Sequence, residues 1–133
     1  MKVCIIQPYY TFDPKDTAYC YDEMIKLIDQ CDDSMDIIVL PESCEVPAAQ
    51  SCKADYDKCI GLYNDDILAK ARETAIRCHA IVFANAAYRT ENGWRNTTFA
   101  FDREGNEVGH YFKAHPAPSE VKTELQGGDQ LDV

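Results

Sequence analysis

Apolar and polar positions along the 133-residue chain switch between a two-residue and a helical period. "KVCIIQ" (2–7) is an apolar, β-branched run closed by Pro8, and it predicts a central strand. "DPKD" then reads as a helix start. Asp13 can cap, Pro14 suits the first helical position, and Asp16 lies at the positive end of the dipole. Tyr21, Met24, Ile25, Ile28 and Cys31 follow at helical spacing and give one apolar face. After the polar "DDSMD", "IIVL" (37–40) predicts a second strand, stopped by Pro41. "SCEVPAAQS" (43–51) reads as a loop, and "DYDKCIGLY" (55–63) as a helix weakened by Gly61. The signal strengthens at Asn64, a candidate cap. Asp65 and Asp66 occupy its first turn, and Ile67, Leu68, Ala71, Ala75 and Cys78 line one face. Arg77 and His79 suit the negative end. "AIVFANAAY" (80–88) predicts a third strand and Asn92-Gly93 a turn. "NTTFAFD" and "EVGHYFK" predict a hairpin around "REGN".

Strands that alternate with helices predict an α/β layered domain, a single one over residues 1–133. The tail carries two prolines, a Gly-Gly turn and then "QLDV", which reads as a strand just beginning. That pattern predicts a piece of a longer chain.

Charge removes one class of partner. Lys and Arg number 13 against 23 Asp and Glu, a net charge of −10. A phosphate backbone would be repelled, so nucleic acid is not an expected partner. An 18-residue apolar run and a signal-peptide core are both missing from the pattern. The expectation is a cytoplasmic chain that does not enter a membrane. The seven cysteines are odd in number and none forms C-x-x-C, which predicts free thiols used as small apolar side chains.

The candidate chemistry stands at strand ends. In α/β sheets reactive side chains gather at the carboxyl ends of strands. Glu42 follows one such end and Lys113 closes another. On one edge they would pair a general base with an electrostatic stabiliser. Charged residues are also common where chains turn, so the spacing alone leaves a structural ion pair open. Glu120 is a second candidate carboxylate and Glu124 its rival on the same stretch. His115 and Asn96 read as loop and strand-edge residues, Cys44 as structural, and Tyr9 and Tyr10 as core or pocket aromatics.

The chain resembles the nitrilase, or carbon–nitrogen hydrolase, superfamily from residue 2 to its end. The resemblance rests on "KVCIIQP", on "IIVLPES", on "RNTTFAFDREGNEVGHYFKAHPAPSE" and on "GGD". The family's Leu-Pro-Glu glutamate falls on Glu42. Its Tyr-x-Lys-x-His lysine falls on Lys113, with Tyr111 and His115 around it. A further family glutamate falls on Glu120. The resemblance implies an αββα sandwich, present here as an incomplete N-terminal part, and hydrolysis of a small amide, nitrile or N-carbamoyl substrate. It implies a cysteine nucleophile, Glu42 as general base, Lys113 as oxyanion stabiliser, no metal or organic cofactor, and a homo-oligomer. The family's nucleophilic cysteine comes a few dozen residues beyond the lysine, past Val133, so chain 1–133 is expected to be inactive. The alternative is a non-catalytic α/β binding or assembly module.

Overall fold

Five short apolar runs become the strands β1 (Val3–Ile5), β2 (Ile37–Val39), β3 (Ile81–Thr90), β4 (Gly93–Phe101) and β5 (Glu107–Phe112). A computed structural model describes residues 1–50 and 52–128, and pairs the strands in the order β1-β2-β3-β4-β5. The "QLDV" strand and Asp129 of "GGD" lie outside the described residues. β1, β2 and β3 run parallel. Parallel neighbours need long crossovers, which α1 (Thr17–Asp29) and α2 (Lys53–Cys78) supply. β4 is antiparallel to β3, and β5 to β4. β5 therefore points the same way as β1–β3, and their four carboxyl ends share one edge of the sheet.

Burial alternates along the strands. Ile38, Val82, Ala84, Ala86, Phe99 and Phe101 are buried, and they pack with Met24 and Ile28 of α1 and with Ile67, Ala71, Ala75 and Cys78 of α2. Both long helices thus cover one face. The other face carries Val3 and Ile5, which are exposed, and Ile37, Val39, Phe83, Thr98 and Ala100, which are half-buried. One helical layer on one mixed sheet is an α/β architecture, two of the four layers of the expected sandwich.

Two expectations need correction. β1 was expected to be central, yet among the described residues it pairs only with β2 and forms an edge. A continuous apolar run signals burial, but carries no count of neighbours. Asn64 was expected to cap a helix, yet it lies buried in the middle of α2, which runs unbroken through Gly61. Its Oδ1 accepts from the Ala87 N–H at 3.0 Å, so a tertiary bond replaces the cap. At the other end of α2, His79 closes the helix in left-handed backbone, φ 49°. The expected Asp13 cap does form. Its Oδ1 accepts from Lys15 N at 3.0 Å, but it opens a single 3-10 turn, Pro14–Asp16, that leads into α1. The β4–β5 turn is held by Asp102, whose Oδ1 accepts from the N–H groups of Glu104 and Asn106. Among the described residues no helix is long and apolar enough to cross a membrane.

Candidate active site

The shared carboxyl edge brings Glu42, from the turn after β2, toward Lys113, just past β5. Two strands separate β2 from β5, a span of about 14 Å at ordinary strand spacing. The side chains close that gap. Lys113 Nζ lies 2.6 Å from Glu42 Oε1 and 2.9 Å from Glu120 Oε2. Glu120 arrives from a different direction. It sits on the short helix α3 (Pro118–Lys122), opened by Pro118. At the third position of that helix its Oε2 also accepts from the Ala117 N–H, which anchors the carboxylate from behind.

The lysine itself is clamped by main chain. Lys113 N donates to Asn96 O at 2.9 Å, and Gly128 N donates to Lys113 O at 2.9 Å. A Cβ on Gly128 would stand 2.8 Å from Phe112 O, so the close approach of this segment requires glycine there.

Electrostatics separates the three groups. Burial lowers the Lys113 pKa, but the bonds to Glu42 and Glu120 outweigh it, and the ammonium ends above its ordinary value. Burial raises the Glu120 pKa. The bonds from Asn96, Lys113 and the Ala117 N–H outweigh that in turn, and the carboxyl ends below its usual range. The Glu120 side chain is 13% exposed, whereas that of Glu42 is 61% exposed. One carboxylate is locked and the other is reachable.

A cavity of about 370 Å³ opens onto this edge, lined by Tyr10, Glu42, Tyr56, Lys113, Glu120 and neighbouring residues. That is the size class of a small-molecule site. Of the two candidate tyrosines, Tyr10 faces it, and Tyr9 is exposed with its ring against Tyr19. Glu124 is exposed in left-handed backbone after α3, and its charge acts on Lys53. His115 is exposed.

The fold has solved counterparts. A carbon–nitrogen hydrolase from Helicobacter pylori matches 97% of this chain over 45% of its own, at TM-score 0.70 and 21% identity. A CN-hydrolase superfamily protein from Xanthomonas campestris, with an arsenic adduct in its active site, matches 96% of this chain over 46% of its own. Its TM-score is 0.68 and its identity 20%. An amidase from Nesterenkonia sp., with acrylamide added to its active-site cysteine, matches 98% over 50%, at TM-score 0.64 and 13% identity. No family model and no curated protein matches the sequence. The chain has the nitrilase fold. It spans about half the length of these neighbours.

Within the nitrilase fold of this chain, the hydrogen-bond partners of Glu42 among the described residues are Asn96 and Lys113, and none of the seven cysteines is one of them. Cys44 is buried, and its Sγ faces Pro41 O at 3.0 Å. Burial, reinforced by the Glu45 charge, pushes its thiol far above the ordinary range. Burial likewise raises Cys20, Cys31, Cys59 and Cys78. Cys52 is exposed at the start of α2, with its Sγ 3.3 Å from Asp55 Oδ2.

The site also holds residues that the pattern did not single out. Asn96, expected at a strand edge or turn, is 5% exposed within β4 and donates to both carboxylates: to Glu42 Oε1 at 2.9 Å and to Glu120 Oε1 at 2.6 Å. Asn85 of β3 stands behind it. Its signal was available, since an amide inside the apolar run "AIVFANAAY" needs a buried partner. Glu45 is buried behind the same turn, and its Oε2 has no hydrogen-bond partner among the described residues. Nothing in "SCEVPAAQS" marks it for burial, because the segment has no period to read.

Proposed function

We propose that this chain is the N-terminal part of a thiol-dependent hydrolase of non-peptide C–N bonds, acting on a small amide, nitrile or N-carbamoyl compound. The observation that carries the reading is Lys113 Nζ held between two carboxylates of unequal exposure, at 2.6 and 2.9 Å, beside a small cavity. The nitrilase fold supports it, and the neighbours' names supply the reaction class.

On this reading the nucleophilic cysteine lies in a segment beyond residue 133. Glu42, the accessible carboxylate, takes the thiol proton. The thiolate attacks the carbonyl or nitrile carbon, and the π pair moves onto oxygen or nitrogen. Lys113 stabilises that developing charge. With an amide or N-carbamoyl substrate Glu42 then returns its proton to the leaving amine as the C–N bond breaks and the thioester forms. With a nitrile the proton goes to the thioimidate nitrogen, which leaves as ammonia after a first water adds. Glu42 next takes a proton from the water that attacks the thioester, and returns it to sulfur as the C–S bond breaks and the acid is released. Glu120 has its oxygens engaged by Lys113, Asn96 and the Ala117 N–H, so it positions the lysine and takes no proton. The partner is a small molecule, and neither nucleic acid nor a membrane enters the reaction. The parent is cytoplasmic and homo-oligomeric.

The test is hydrolysis of a panel of small amides, nitriles and N-carbamoyl compounds by a chain extended through its reading frame past Val133. Turnover in the extended chain, abolished by Glu42→Gln, is the expected result. Thiol-dependent hydrolysis by residues 1–133 alone, or full turnover in Glu42→Gln, would overturn the reading.

A further inference from the structure

The two carboxylates and the lysine reach the site from three separate segments, and one hydrogen-bonded chain runs beneath them. Ser43 N donates to Asn85 Oδ1 at 2.6 Å. Asn85 Nδ2 donates to Asn96 Oδ1 at 2.6 Å and to Thr98 Oγ1 at 3.1 Å. Asn96 Nδ2 donates to Glu42 Oε1 and Glu120 Oε1. The backbone joins the same circuit, because Cys44 N donates to Asn85 O at 3.0 Å and Lys113 N to Asn96 O at 2.9 Å.

The direction of this chain is forced. A carboxylate only accepts, so Asn96 must turn its NH₂ toward Glu42 and Glu120. Its carbonyl then faces Asn85, which must donate. Asn85 can donate only with its own carbonyl turned toward Ser43, whose main-chain N–H cannot reverse. The orientation of both amides is thus fixed from two ends, by the carboxylates and by one backbone N–H, that of the residue following Glu42. Ser43 holds left-handed backbone, φ 52°, a conformation unfavourable for a side-chain-bearing residue. The two bonds that Asn85 accepts, from the Ser43 and Cys44 N–H groups, secure that turn.

We infer that Asn85 and Asn96 form a directional amide relay that positions Glu42, Glu120 and Lys113 as one unit, with Asn85 acting on carboxylates it does not touch. The assignment of Glu42, Lys113 and Glu120 to chemistry rests on the hydrolase reading, whereas the relay itself does not. Each donor has a use. Both protons of Asn96 go to carboxylates, and both of Asn85 go to the relay and to Thr98. A flip of Asn96 places donor against donor at Asn85 and carbonyl against carboxylate at the other end; a flip of Asn85 places donor against donor at Ser43 and carbonyl against carbonyl at Asn96. The relay therefore has one low-energy state. It transmits position across β3 and β4, the two strands that separate Glu42 from Lys113.

The experiment reads carboxyl and amide titration by NMR in the 133-residue chain, with no activity needed. The charged and titratable groups that face Glu120 are Lys113, Glu42 and Tyr56. In the wild-type chain the Asn96 NH₂ signals should move with the titration of Glu120. The Asn85 NH₂ signals should follow with smaller amplitude. Asn96→Leu should raise the Glu120 midpoint toward the ordinary carboxylate value. Asn85→Leu should raise it less. Asn85→Asp offers an acceptor where Asn96 needs a donor, so it should raise the midpoint more than Asn85→Leu does. Folded Asn85 variants with an unmoved Glu120 midpoint would overturn the relay. If the variants fail to fold, wild-type Asn85 NH₂ signals that ignore the Glu120 titration overturn it equally. In an active extended chain, Asn85→Asp should lower kcat about 10- to 100-fold with little change in KM, the cost of a misplaced catalytic group. Unchanged kcat there removes the positioning role. An extended chain that hydrolyses nothing would sink the hydrolase reading, while the titration result still decides the relay.

Discussion

Glu42 and Glu45 stand three residues apart on one turn and live in opposite surroundings. Glu42 reaches an ammonium at 2.6 Å and an amide donor at 2.9 Å, with most of its side chain open. Glu45 turns inward, 1% exposed, and its Oε2 meets no donor among the described residues. Burial pushes its pKa up to about 8, the Glu42 charge adds to that, and the N–H groups of Glu45 and Ala87 pull only partly back. One carboxyl is accessible beside an ammonium, whereas burial holds the other well above the usual carboxylate range. The difference comes from which way the left-handed turn at Ser43 aims each side chain. The same residue type on the same loop therefore faces the cavity in one position and carries a stability cost in the other.

The comparison breaks most visibly at Glu42. In the extended chain Glu42→Gln should cost at least about a thousandfold in turnover, the scale of losing a general base and its partner. Glu45→Gln should leave turnover within about threefold, because its side chain is enclosed and does not line the cavity that Glu42 faces. Steady-state rates of the two variants at one pH decide it. Equal losses would mean that both carboxyls serve the reaction.

The second effect is on stability. A carboxyl whose folded pKa lies above its unfolded value binds more protons in the folded state. Glu45 therefore favours folding least at high pH: its cost is absent below about 4.5, grows as pH rises, and is complete above about 8. Denaturation of the wild-type chain and of Glu45→Gln at pH 5 and pH 8.5 should show the variant gaining on the order of 3 kcal/mol between the two. Glu120 carries the opposite sign. Its folded pKa lies below the unfolded value, so its contribution is present above about 4.5 and fades as pH falls through the folded pKa. Glu120→Gln should lose about 1–3 kcal/mol at pH 7, as for hydrogen bonds to a charged group, and lose less at pH 3. A Glu120→Gln deficit that persists unchanged at pH 3 would show packing rather than charge.

A smaller effect probes the floor of the buried side. The Ala87 N–H donates to Asn64 Oδ1 and also faces Glu45. Asn64→Ala leaves that N–H to Glu45 alone. It should destabilise by about 1 kcal/mol, near the low end for a lost buried bond, and lower the Glu45 pKa. An unmoved Glu45 titration would separate the two groups. The smallest effect is a control with the reverse sign. Gly61 lies in α2 with nothing within 4 Å of an added Cβ, so Gly61→Ala should stabilise by about 0.5–1 kcal/mol and leave both carboxyls unchanged.

Much of this was written locally. The strand runs, the helical face of Met24 and Ile28, the Asp13 cap and the Asp102 turn depend on near neighbours in the chain, so residue type and spacing suffice to read them. Glu42 and Lys113 were legible for the same reason, each following an apolar run. Other features were decided by contacts across the fold. Asn64 became a buried helix residue because β3 offered an N–H to satisfy. β1 became an edge because a run of apolar residues does not name its neighbours. Glu120 stands at the site, and Glu124 does not, because α3 aims only one of them back at Lys113. Asn85 and Asn96 join into a relay because β3 and β4 pair in antiparallel register. Glu45 is enclosed because a turn with no period folds over it. Local propensity acts through a few adjacent residues, whereas a hydrogen bond between residues 42 and 96, or a desolvated carboxyl, exists only when the sheet has brought its strands together.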